Sequence, residues 1–173
     1  MSEQMIPITL VSGQNTINIA CEKIKITWPQ KTPDQYLLLA VVNRKTLSSV
    51  ACEVNTDLSS VPGSIQKYDG NSEYLLLVVS YKLNNYRMPS GDLLTFLDKN
   101  GAGPGLAKLL QCGKTISPTF GYYSYCLAST MGTETGFENY LVNYVSANSD
   151  NIFLPLKLQK VVDFYSLTNV FPV

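Results

Sequence analysis

QYLLLAVV, residues 35–42, and EYLLLVVSY, residues 73–81, are nearly the same segment, with Tyr36 and Tyr74 in matching places. Each is an unbroken apolar run of strand length. A strand with one wet face alternates apolar and polar side chains. A run that does not alternate must be buried on both sides. Two central, doubly covered strands are therefore the first expectation. Their flanks do not match, which favours two strands of similar burial over an internal duplication.

Working outward, TINIACEKIKITW (16–28) carries Ile17, Ile19 and Cys21 on one parity and Ile24, Ile26 and Trp28 on the other. Each half alternates as a half-buried strand does, and the break at Glu22-Lys23 reads as a bulge or turn. Pro29 and Pro33 close this unit, because proline offers no ladder donor. Further strand-like segments follow: LLTFL (93–97), TFGYYSYCLAS (119–129), ENYLVNYVSA (138–147), NIFLPLKLQKVVDFYSL (151–167) and NVFPV (169–173). Turn residues separate them at Pro89-Ser90-Gly91, Asn100-Gly101, Met131-Gly132-Thr133 and Asn148–Asn151. Many short strands with dense turn signals predict one all-β domain over residues 1–173, an antiparallel β-sandwich. One or two short helices are expected. The better spans Gly105–Cys112, with Leu106, Leu109 and Leu110 on one face and Gly113 as its C-cap. The other begins at Asp57, a suitable N-cap.

The 173 residues suffice for a full hydrophobic core. Apolar residues make up 45%, but charged residues only 15%, and 13 basic side chains cancel 13 acidic ones. A neutral, sparsely charged surface is weakly protected against self-association. No basic field exists to hold a phosphate backbone, so nucleic acid is not an expected partner. The apolar stretches are too short to span a bilayer, and MSEQMIPITLV has no signal-peptide pattern. A protein that stays in the cytoplasm at synthesis, within a particle if it assembles into one, is expected. Cys21, Cys52, Cys112 and Cys126 contain no C-x-x-C pair, so free thiols are expected ahead of two disulfides.

DKNGAGPGLAKLLQCGKT (98–115) offers three suggestions of chemistry. An EF-hand-type calcium loop needs oxygens at its first, third and fifth positions; Asp98 and Asn100 fit the first two of these, but Ala102 stands at the fifth. A hairpin turn at Asn100-Gly101 is the simpler reading. Gly101-Ala-Gly-Pro-Gly105 hints at a phosphate cradle. Gly113-Lys114-Thr115 looks like the end of a nucleotide loop, but Lys108 stands where its first glycine belongs. None of the three meets its requirements. The chain has no histidine, which removes Ser-His-Asp and Cys-His pairs and the usual neutral-pH proton shuttle. Carboxylates are scattered; Glu134 and Glu138 are four apart, but glycines at 132 and 136 argue against a helix there. No catalytic residue, metal ligand set or cofactor is expected.

Aromatic residues stand out instead. FGYYSYC sets Tyr123 and Tyr125 on one strand face and Tyr122 with Ser124 on the other; Tyr140, Tyr144 and Tyr165 follow. Tyrosine packs as a hydrophobe while its hydroxyl bonds, which suits an interface or a ligand surface. Tyr122, Tyr123 and Tyr125, on whichever parity faces outward, and the tail residues Val170, Phe171 and Val173 are the candidate contact residues.

DLSSVPGSIQK (57–67), followed by YLLLVVSY, resembles the tellurium-resistance (TerD-like) stress domains. ITLVSGQNTINI is similar to that family's opening hairpin, DQYLLLAVVN to its acidic-led central strand, and LLTFLDKNG to a later strand and turn. The resemblance implies a β-sandwich that binds calcium through clustered carboxylates, with Asp34 matching one of them. The Gly-Asp stretch expected after the second strand is missing, since 43–56 offers only Glu53. The expected function is a non-catalytic structural protein that self-associates into a capsid, filament or inclusion. The alternative is a soluble binding module, either a stress domain of this kind or a carbohydrate-binding lectin.

Overall fold

The computed structural model describes residues 5–30, 32–115, 121–143 and 151–170. The strands are β1 (Met5–Ser12), β2 (Asn18–Cys21), β3 (Tyr36–Asn43), β4 (Ser49–Asn55), β5 (Tyr74–Tyr81), β6 (Leu83–Asn84), β7 (Tyr122–Thr130), β8 (Phe137–Asn143), β9 (Ile152–Val161) and β10 (Phe164–Asn169). The helices are α1 (Gly63–Gln66), α2 (Gly91–Lys99) and α3 (Pro104–Thr115). One sheet runs β10-β9-β1-β2; the other runs β4-β3-β5-β7, with β6 and β8 also paired to β7. Every strand pairing is antiparallel. The protein is an all-β sandwich, and the helices form a third layer over the outer face of the second sheet.

That third layer explains the doubled apolar runs. On β3, Leu38, Ala40 and Val42 face the first sheet, while Leu37, Leu39 and Val41 face the helices. On β5, Leu75, Leu77 and Val79 face the sheet, and Leu76 and Val78 the helices. Each fully buried leucine contributes about 1.5–3 kcal/mol relative to exposure. The first sheet, by contrast, is covered on one side. Its strand β9 alternates buried Ile152, Leu154, Leu156 and Leu158 with exposed or half-buried neighbours.

Proline placement fits the ladder. Pro7 pairs with Lys157, one residue beyond the last β1–β2 pair, Ile8 with Cys21. Pro155 pairs with Thr9, one residue beyond the last β9–β10 pair, Leu156 with Asn169. Each proline sits where the neighbouring strand has ended, so no ladder donor is lost.

Two polar clusters tie the sheets together. At one end, the Ser12 hydroxyl donates to the Ser80 carbonyl at 2.7 Å, and the Tyr125 amide donates to Ser80 Oγ at 2.9 Å. At the other, Arg44 in the β3–β4 turn donates to the Tyr165 carbonyl (2.8 Å), the Ser72 carbonyl (2.6 Å) and Ser166 Oγ (3.0 Å).

Several expectations are corrected. Among the described residues there are three helices, not one or two. LLTFL is not a strand but the body of α2. Leu93, Phe96 and Leu97 lie at i, i+3 and i+4 and share its buried face; a five-residue apolar run does not separate the two periods. The segment 57–67 begins with a turn in which Asp57 binds Ser59 and Ser60, and α1 starts only at Gly63. The segment carrying Ile24, Ile26 and Trp28 forms no ladder, although these side chains still pack on the inter-sheet core. The helix expected over Gly105–Cys112 runs to Thr115, so Gly113 lies inside it rather than capping it. A Cβ there would come 2.6 Å from Met88 Cε.

Candidate functional site

The glycine-rich stretch does build an anion-holding helix start, and the protein fills it itself. Pro104 opens α3, leaving the amides of the first turn without intrahelical acceptors. The Glu138 carboxylate, presented from β8, accepts from the Gly105 amide at 2.9 Å and the Leu106 amide at 3.0 Å. It also accepts from the Tyr125 hydroxyl at 2.7 Å. A negative charge is stabilised at this end of a helix. Gly105 is required by the close approach, because a Cβ would lie 2.8 Å from Glu138 Oε2. Burial, then the neighbouring Glu138, holds the Tyr125 hydroxyl well above its ordinary ionisation range. The apparent phosphate cradle is thus an internal helix cap.

The apparent calcium loop is the end of α2. Asn100 is its C-cap residue, not a hairpin turn. Its buried side chain donates to Asp69 Oδ1 (2.7 Å) and the Phe96 carbonyl (2.8 Å), and accepts from the amides of Gly70 (3.1 Å) and Gly132 (2.9 Å). It knots the α1–β5 and β7–β8 connections to the end of α2. Asp98 lies beside this knot; partial desolvation of its carboxyl, then the charge of Glu138, raises its pKa. Gly113-Lys114-Thr115 is the last turn of α3, where the Thr115 hydroxyl reaches the Gln111 and Cys112 carbonyls. A helix C-terminus carries negative potential and repels phosphate.

The structure separates the tyrosines expected at an interface. Tyr123 and Tyr125 are buried at 1% and 0% exposure in the helix-side core, which removes both from any free surface. The Tyr123 hydroxyl donates to the Arg87 carbonyl at 2.7 Å. Tyr122 and Val170 are half-buried. Phe171, Val173 and Tyr144 lie outside the described residues. β7 is covered by helices on one face and by the first sheet on the other, so neither parity faces outward along most of its length. Nothing in FGYYSYC distinguishes that from a strand with one wet face.

The four cysteines are free. Burial, then Glu53, pushes the Cys52 thiol up to about 11, and burial raises that of Cys126 further, so neither is a thiolate nucleophile at neutral pH. Among the described residues, no three His, Cys, Asp or Glu side chains converge as a metal site. Among them also, no helix is long and apolar enough to cross a membrane.

The surface that stands apart is the outer face of the first sheet. β1 turns Met5, Pro7 and Thr9 outward, and β9 turns Phe153, Pro155, Lys157 and Gln159. Lys157 is the one charge on these two strands' outward positions. Met5 is 55% exposed and Phe153 56%. The β9–β10 hairpin extends this surface with Val161 and Val162, the latter 86% exposed. Val162 has φ 56°, in the left-handed region where a β-branched residue is strained. Leu47, at φ 59°, shares that backbone but is buried. Composition alone did not locate this face; the alternation in NIFLPLKLQ was its signal.

No family model and no curated protein matches the chain.

Proposed function

We propose that the protein is a non-catalytic structural subunit that self-associates through the outer face of the β10-β9-β1-β2 sheet and the hairpin tip beside it. The observation that carries this reading is Val162. Its left-handed backbone costs about 1–2 kcal/mol for a residue with a Cβ, and its side chain is 86% exposed. The monomer gains no burial in return, whereas a second copy seated on the tip would supply it.

The occupant is another copy of the chain. With net charge zero, a single Lys157 on the outward positions of β1 and β9, and Lys160 and Asp163 of opposite sign at the exposed tip, two such faces approach with little like-charge repulsion. The face is also large enough. Eight residues of β1 at about 3.3 Å each, across four strands at about 4.8 Å, give roughly 500 Å². Two copies then bury about 1,000 Å², the lower bound for a specific interface. The hairpin tip adds to that. A shell, filament or inclusion would use repeated contacts of this kind.

Sedimentation velocity at micromolar concentration tests the proposal, with Val162→Asp and Val162→Gly beside the parent chain. The parent should sediment as an oligomer and Val162→Asp as a 19.1 kDa monomer. Val162→Gly should relax the turn, raising thermal stability while weakening association. A parent chain that remains monomeric would end the assembly reading.

A further inference from the structure

A cleft of about 250 Å³ opens between the β7–β8 turn and β10. Its polar side chains are the hydroxyls of Thr130, Thr133, Thr135 and Ser166, while Ser129, whose own hydroxyl turns to Asn100 on the helix side, contributes backbone. Phe137 and Leu167 supply the apolar part. No lining residue is charged.

The hydroxyls are not equally committed. Ser129 donates to the Asn100 carbonyl, and Thr133 to the Thr130 carbonyl at 2.6 Å. Thr133 keeps its lone pairs to accept, while Ser129 is buried on the helix side of β7 and takes no part. Ser166 Oγ accepts from the Arg44 guanidinium at 3.0 Å, which leaves its proton for a partner in the cleft. A guanidinium behind a hydroxyl also makes that hydroxyl a stronger donor. The hydroxyls of Thr130 and Thr135 engage no other group among the described residues.

We propose that this cleft binds one ring of a neutral sugar. Three features select that class. No lining carboxylate would replace a cation's hydration, and the Arg44 guanidinium is held by the Tyr165 and Ser72 carbonyls and reaches the cleft only through the Ser166 hydroxyl. Hydroxyls both donate and accept, so a ligand whose own hydroxyls do both can satisfy them all. A ring with alternating C–H and O–H groups also matches the mixture of Phe137 and Leu167 with the hydroxyls of Thr130, Thr133, Thr135 and Ser166. A cleft of about 250 Å³ is on the scale of a single sugar ring rather than an extended chain.

Saturation-transfer NMR on the full chain tests it, with glucose, galactose, mannose and N-acetylglucosamine as neutral probes and glucose 6-phosphate as the charged one. At least one neutral sugar should bind saturably in the millimolar range, and more tightly than glucose 6-phosphate. Ser166→Ala and the exposed Thr135→Val should each weaken binding about fivefold, the loss of one neutral hydrogen bond. Thr135→Val keeps the backbone and should leave the melting temperature unchanged, which separates lost binding from lost folding. Absence of saturable binding by all four neutral sugars would overturn the proposal. So would binding that both variants leave intact, or a preference for the phosphorylated sugar.

Discussion

Asn100 shows how one side chain can hold three segments. It is fully buried and makes four hydrogen bonds, two of them to the backbone amides of Gly70 and Gly132. Asn100→Ala removes the acceptor that these two part-buried amides share, together with the donor to Asp69 and the Phe96 carbonyl. An unsatisfied buried group costs about 1–3 kcal/mol. Asn100→Ala should therefore lower stability by about 2–3 kcal/mol, read from the denaturant midpoint at unchanged slope. Asp98, two residues earlier, should behave oppositely. Its folded pKa is raised, by burial and then by Glu138. A raised carboxyl favours the protonated form in the fold, so its contribution is present below the ordinary carboxyl range and is lost as pH rises through the folded value. It also places negative charge in the last turn of α2, against the helix dipole. Asp98→Asn should thus stabilise at neutral pH by about 0.3–1 kcal/mol, and the gain should vanish near about pH 3. Thermal melts of both proteins across that range would decide it; a gain that persists in acid would refute the electrostatic account.

At the scale of elements, β3 and β9 embody two kinds of strand. β3 is covered on both faces, so Leu38→Ala and Leu39→Ala should cost alike, about 2–5 kcal/mol each, although they open cavities in different cores. β9 is covered on one. Leu156→Ala should cost as much, while its outward neighbour Phe153, 56% exposed, should change monomer stability by about 0.5 kcal/mol or less when replaced by Ala. Chemical denaturation of the four variants measures the contrast. The same logic explains what the sequence revealed of these elements. QYLLLAVV and EYLLLVVSY announce double burial, and NIFLPLKLQ announces a wet face. LLTFL announces neither, because five residues complete only one turn of helix and the leucines at 93 and 94 fit both periods. α2 declares itself only through Ser90 before it, Asp92 in its first turn and Lys99 in its last.

For the whole molecule, the two outer faces differ in kind. Three helices cover one sheet, and the other sheet's face carries a single charge on its two central strands. Apart from Lys160 and Asp163 at the hairpin tip, an association through that face is dispersion and apolar burial more than ion pairing. Oligomers seen by sedimentation should therefore persist from low to physiological salt, since screening acts on charge. Dissociation on adding salt would point to a different contact.

The sequence by itself determined the all-β class, the two doubly buried strands, the helix over most of 104–115 and the failure of DKNGAGPGLAKLLQCGKT as a calcium or nucleotide loop. These follow from local periodicity and from which residue types are present. Only the tertiary structure decided what covers each face. It buried Tyr123 and Tyr125 under helices. It brought Glu138 across 33 residues to the start of α3 and placed the hydroxyls of β7 and β10 around one cleft. Such meetings depend on strand register and layer packing between segments far apart in the chain, and no pattern along the chain encodes those distances.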